Sequence, residues 1–264
     1  MKPLQAKGIS VQQASHLVLD NIHLDIQAGE VMALLGANGA GKSTLLGCLA
    51  GDILDMPITT GEVLLDEQNI QTLSSSQLAK HRAVLTQHPS LNFDLSVDEV
   101  IEMGSYPFPE LSHTEVATLK KQALEWIDIQ HLQQKRYQAL SGGEKQMVQF
   151  ARILVQLFAQ QQSARYCLLD EPTSHLDPKN QRLLLQVLRR VATELNIGIM
   201  IILHDVNLAA LYCDKLALLA KGKLIAQGSA TTVLTPDNLE AIYGVPGQTI
   251  PHPIMENKIL VVWS

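Results

Sequence analysis

Three uninterrupted apolar runs set the frame of the chain: VMALL at 31–35, YCLL at 166–169 and IGIMIIL at 197–203. Each is bounded by polar or turn-forming residues and ends in a loop. That is the pattern of strands buried on both faces of a parallel sheet. Helical stretches separate them, among them STLLGCLA, which stops at Gly51, and QMVQFARILVQLF. Alternating strands and helices predict an α/β fold.

Between the first two runs the pattern changes. LSVDEVIEMG begins with Ser96 and Glu99 at capping-box spacing, and LSHTEVATLKKQALEWIDI repeats the device with Ser112 and Glu115. Two successive helix starts without a strand between them predict a helical lobe inserted into the sheet domain, about residues 91–150. Toward the C-terminus, DKLALLAKGKLIAQG places two apolar runs around Lys221-Gly222 and reads as a hairpin. There is no internal repeat, and the Gln tract at 160–162 is too short to signify one.

The loop after the first run, GANGAGKST, carries chemistry. It fits G-x-x-x-x-G-K-[ST], with Gly36, Gly41, Lys42 and Ser43 in the fixed places and Ala37, Asn38, Gly39, Ala40 and Thr44 completing it. Its glycines let backbone N–H groups turn inward around an anion, and the helix that follows adds positive dipole. Lys42 supplies a full charge to the β- and γ-phosphates of a nucleotide, and the Ser43 hydroxyl suits Mg²⁺. The second run ends on Asp170, whose buried carboxylate calls for a cation or hydrogen bonds. Glu171 follows, placed to act as general base on the γ-phosphate side.

Composition narrows the classes. A chain of 264 residues with 46% hydrophobic side chains buries a sizeable core. The net charge of −6 and the lack of a dense Lys/Arg run speak against nucleic acid as partner. Cys48, Cys167 and Cys213 are far apart and form no CxxC pair, which points to a reducing compartment without disulfides. No run approaches the length of a membrane span and the N-terminus has no signal-peptide core, so any work at a membrane requires another chain to hold this one there.

With these motifs in order, the chain resembles the nucleotide-binding subunits of ATP-binding-cassette (ABC) transporters over nearly its whole length. GANGAGKST is similar to the Walker A loop, YCLLDE to Walker B with its glutamate, SHLD to the D-loop, LHD to the switch-histidine segment, and LSGGE, Leu140 to Glu144, to the signature motif. Gln87 falls at the Q-loop position. The resemblance implies a single nucleotide-binding domain over 1–264. Its P-loop NTPase (RecA-like) core, about 1–90 and 151–264, has a mainly parallel sheet and an N-terminal antiparallel β part; residues 91–150 form the helical lobe.

It also implies roles. ATP and Mg²⁺ are the expected cofactors, with Ser43, Gln87 and Asp170 as metal contacts. Glu171, His204 and Gln87 are the catalytic set. Leu140, Ser141, Gly142, Gly143 and Glu144 reach the ATP of a partner chain in a head-to-tail homodimer, and Asp177 acts across that interface while also reading as an N-cap before Pro178. Two departures stand out: Glu144 replaces the usual Gln, and SVQQASHLVLDN lacks the aromatic residue that stacks on adenine, leaving His16 as the stacking candidate.

A separate cassette without a span, and without the coiled-coil or zinc insertion of DNA-acting relatives or the duplicated cassette of ribosome-acting ones, points to a bacterial importer. Its expected place is peripheral, on the cytoplasmic face of the inner membrane. Two permease subunits would be its direct partners and a periplasmic binding protein an indirect one. PSLNFDLSVDEVIEMGSYPF is similar to the matching stretch of importers for iron-siderophores, heme and cobalamin. LSGGEKQMVQFARILVQLF, ARYCLLDEPTSHLD and the late His252-Pro253 look most like the heme importers. A ferric siderophore or cobalamin importer is the alternative, and a soluble cassette ATPase acting on nucleic acid or the ribosome a more distant one.

Overall fold

A computed structural model describes residues 2–52, 58–87, 91, 93–159 and 165–264. The Gln tract at 160–162, and Pro89, Ser90 and Asn92 of the importer-like stretch, lie outside the described residues.

The three apolar runs form β3 (Val31–Leu35), β7 (Tyr166–Asp170) and β8 (Gly198–Ile202), parallel and in the spatial order β3-β8-β7. β6 (Arg82–Leu85) extends the sheet beyond β7, and β9 (Lys215–Ala220) extends it beyond β3. The expected hairpin is present: β10 (Lys223–Gly228) returns antiparallel to β9 through Lys221 and Gly222, both at positive φ. Side chains alternate between two cores. Val31, Ala33 and Leu35 enter one, Met32 and Leu34 the other, and β7 divides Cys167 and Leu169 from Tyr166 and Leu168 in the same way. Burial of both faces is why these strands read as unbroken apolar runs.

A second, antiparallel sheet covers one of these cores, in the order β2-β1-β4-β5: β1 (Leu4–Gln13), β2 (His16–Ile26), β4 (Ile58–Leu65) and β5 (Gln68–Asn69). The same core holds α1 (Lys42–Ala50), which ends at Gly51, a left-handed residue whose N–H bonds the Cys48 carbonyl. α2 (Ser75–His81) leads into β6.

The other core holds the helices. Both expected capping boxes are present, at the start of α3 (Val97–Glu102) and of α4 (His113–Trp126): Ser96 N–H and Ser112 N–H each donate to their glutamate's Oε2 at 2.7 Å. Between them Gly104 lies so close to the next helix, α5 (Gly142–Ala159), that a Cβ there would come within 2.2 Å of the Arg152 carbonyl oxygen. α5 passes residue 150 unbroken, and Gln156 in its second half donates to the carbonyls of Ala79 and Arg82 at 2.8 and 3.1 Å, tying it to α2 and β6. α6 (Pro178–Leu195) and α7 (Val206–Tyr212) follow β7 and β8. The chain closes with α8 (Ala230–Val233), α9 (Pro236–Tyr243) and a separate hairpin of β11 (Gly247–Pro251) and β12 (Ile259–Trp263).

Register decides what this scaffold presents. Leu34 and Asp170 both pair with Ile202, so the carboxyl ends of β3, β8 and β7 finish level. Gly36, His204 and Glu171 therefore leave the sheet at one edge, where ligands bind in open α/β sheets.

Candidate nucleotide site

The loop from Gly36 to Gly41 is shaped by close approach. A Cβ at Gly36 would sit 2.2 Å from the Leu219 carbonyl oxygen, so only glycine lets the chain leave β3 beside β9. Gly41 takes φ 102 to begin α1, a conformation other residues rarely adopt. Ala40 turns into the core, and its carbonyl accepts from Gly222 N–H at 3.1 Å, which pins the loop to the β9–β10 turn.

Asn38, Gly39, Gly41, Lys42, Ser43 and Thr44 line a cleft of about 480 Å³, together with Val18, Gln87, Glu171 and His204. Lys42 is 6% exposed and lies back on the loop, donating to the carbonyls of Gly36 and Ala37 at 2.9 and 3.0 Å. Burial pushes its ammonium below the ordinary lysine range, while Glu171 and Asp170 pull it back up. A phosphate is a better partner for that cation than two neutral carbonyls.

Asp170, also 6% exposed, has one oxygen, Oδ1, that meets no hydrogen-bond partner among the described residues. Burial pushes its carboxyl above the usual aspartate range, a hydrogen bond with the Ser43 side chain opposes this, and the neighbouring Glu171 charge adds to it. An orphaned buried carboxylate oxygen beside a hydroxyl fits a hard divalent cation.

Glu171 has φ 49, a left-handed conformation that costs a non-glycine residue ~1–3 kcal/mol. Ser174 holds it there, donating its N–H and hydroxyl to the Glu171 carbonyl at 3.2 and 3.0 Å. The side chain is clamped at both ends: Gln87 Nε2 donates to Oε2 at 2.8 Å and His204 Nε2 lies 2.5 Å from Oε1. Three residues far apart in sequence thus meet on one carboxylate.

No signature residue lines this cleft among the described residues. The signature packs instead on the D-loop of its own chain, where a Cβ on Gly143 would lie 2.9 Å from the His175 carbonyl oxygen. Asp177 caps α6, its Oδ1 accepting from Asn180 N–H at 2.8 Å. Glu144 has a local partner: its Oε2 accepts from both the N–H and the hydroxyl of Ser141 at 2.8 Å, and Ser141 Oγ accepts from Glu144 N–H at 3.3 Å. This capping box has the S-x-x-E spacing used at Ser96 and Ser112, and was legible in the sequence by the same rule.

His16 lies exposed at the start of β2 and does not line the cleft; the apolar side chain that does is Val18, two residues on. Nothing in the alternation of β2 marks it out. No Phe, Tyr or Trp is present among the described lining residues. A base–aromatic stack, worth ~1–3 kcal/mol, serves every base, so its absence weakens ATP and GTP alike, and their kcat/KM values should lie within about tenfold of each other. A hundredfold preference for ATP in paired steady-state assays would require a base contact from outside these residues.

The model of the ABC transporter family matches residues 19–174. The chain belongs to the ABC transporter family. The hemin import ATP-binding protein HmuV of Bordetella pertussis is 46% identical over 261 residues, covering 98% of each chain. Among solved structures, this ABC chain is similar to cbiO1 of Clostridium perfringens, part of the ABC transporter complex cbiONQ. That likeness has 30% identity and a TM-score of 0.75, over 90% of this chain and 92% of that one. A metal-chelate type ABC transporter in an inward-facing conformation shares the fold, with TM-score 0.78 at 24% identity over 100% and 97% of the two chains.

Proposed function

We propose that the chain is the ATP-hydrolysing subunit of a bacterial heme importer, working as a head-to-tail homodimer on the cytoplasmic side of the inner membrane. The observation that carries the motor is the split site. The phosphate loop, Glu171, Gln87 and His204 converge on one cleft, with Asp170 behind it on the Ser43 hydroxyl, while the signature faces elsewhere. A second copy that set its signature over this cleft would supply the N–H groups at the start of α5 to the γ-phosphate.

In this reading Lys42 exchanges its two loop carbonyls for β- and γ-phosphate oxygens. Ser43, Asp170 and Gln87 would hold Mg²⁺, which neutralises charge on those phosphates. Glu171 takes a proton from water as the water oxygen bonds to the γ-phosphorus and the bond to ADP breaks. His204 contacts the γ-phosphate, and Asp177 meets the partner chain. The resting clamp keeps the base engaged until ATP competes for Gln87 and His204.

Residues 91–150 act as the lobe that meets the permease. It exposes two large rings, Phe93 and Tyr106, which suit an apolar contact with a membrane subunit. No helix among the described residues is long and apolar enough to cross a membrane, which fits a subunit attached through its permease. Heme as cargo rests on the near-full-length likeness to the hemin import protein. Transport into vesicles carrying the cognate permease and binding protein tests it: heme should be imported with ATP, and a ferric siderophore or cobalamin should not. Import of either competitor in place of heme would overturn the cargo.

A further inference from the structure

The β11–β12 hairpin follows α9, and its free edge meets α7, the helix that starts two residues after His204. A strand at the edge of a sheet leaves N–H and C=O groups unpaired. At Val261 a side chain closes that edge. Val261 N–H donates to Asn207 Oδ1 at 2.7 Å, and Asn207 Nδ2 donates to the Val261 carbonyl at 3.2 Å. The amide thus acts as one residue of a third strand, a task that needs a donor and an acceptor on the same group.

The junction is half-buried, with Val261 4% exposed in the core that also holds Val206, Ala209 and Ala210 of α7. Lys258 adds a second tie, donating to the Ala210 carbonyl at 3.4 Å. The hairpin is seated on α9 as well, through an edge-on contact of Trp263 with Tyr243 at 5.2 Å between centroids. It therefore grips α7 at two points while resting on a fixed base.

α7 begins with Asp205, whose Oδ1 accepts from the N–H groups of Asn207 and Leu208 at 2.8 and 3.2 Å. Asp205 follows His204 directly, so this cap sets where the histidine leaves β8. Asn207 gives its main chain to the cap and its side chain to the hairpin. We infer that Asn207 is a positioning residue through which the hairpin of residues 247–263 holds His204 against Glu171, making ATP hydrolysis depend on the docked hairpin. This rests on the role given to His204 above.

The discriminating substitution is Asn207→Asp. It keeps the size of the side chain and suits the first turn of a helix, where a negative charge is favourable, but it sets a carboxylate oxygen against the Val261 carbonyl. In the full-length protein, hydrogen exchange across 259–263 should quicken and kcat should fall about fivefold with KM for ATP unchanged. In a His204→Ala background the same change should have no further effect on kcat, since both act on one group. The inference is overturned if exchange at 259–263 is unaltered, if the hairpin loosens while kcat stays at the parent value, or if kcat falls equally in both backgrounds. If His204→Ala turns over like the parent, the histidine's own role fails with it. A low His204→Ala rate beside a normal Asn207→Asp rate removes only the link to the hairpin.

Discussion

Glu171→Gln should bind ATP as the parent does, hydrolyse it about 10²–10⁴ times more slowly, and accumulate as an ATP-bound dimer. The size of the loss is that of a removed general base. The geometry explains why binding survives: the phosphate loop is tied to Gly222 through the Ala40 carbonyl and Lys42 to the carbonyls of Gly36 and Ala37, hydrogen bonds in which Glu171 takes no part. It also explains the trapped state. Both oxygens of Glu171 accept, one from Gln87 and one beside His204. A glutamine meets the second partner only with its amide N–H2 and has no basic oxygen to take the proton of the attacking water, so the loaded dimer is not discharged. Single-turnover hydrolysis and size-exclusion chromatography with ATP check the two halves. Parental turnover would remove Glu171 as the base and leave its strained φ without a catalytic reason.

The sequence carried the site unevenly. The phosphate loop was legible because its glycines answer local demands, at Gly36 a carbonyl 2.2 Å from any Cβ and at Gly41 a left-handed φ. Strands β3, β7 and β8 were legible because burial on both faces leaves a continuous apolar run. The meeting of Gln87, Glu171 and His204 was not visible in any local pattern, since it comes from the register of a parallel sheet and entered only through the order of the family's motifs. Val18 went unmarked because a valine on a half-buried strand looks like any other. The closing hairpin was missed for a related reason: β11 and β12 are short and largely exposed, and β12 is completed by a side chain of α7 rather than by a neighbouring strand. Glu144 gained a meaning only in three dimensions. It serves the capping box, so its departure from the usual glutamine keeps the Ser141 turn intact while adding a charge that Lys135 faces at 3.4 Å.

Ser141→Arg separates a one-chain site from a two-chain site. Ser141 is exposed, at the foot of α5, and its loss removes one capping box without disturbing the cleft, which no signature residue lines among the described residues. Purified Ser141→Arg should therefore bind nucleotide as the parent does. Its hydrolysis should fall about 10²-fold or more, the scale set by removing a preorganised donor from a developing charge and here increased by the bulk of arginine at the interface. Lys42→Ala, which disables the cleft but not the signature, should also be inactive alone. Mixed in equal amounts, the two variants form some dimers in which an intact cleft faces an intact signature, and activity should return to about a quarter of the parent's if sites act independently in a two-fold dimer. Recovery of that kind cannot arise within a single chain. Normal hydrolysis by Ser141→Arg alone would instead show that one chain completes the site, and the proposed head-to-tail homodimer would fall with that result.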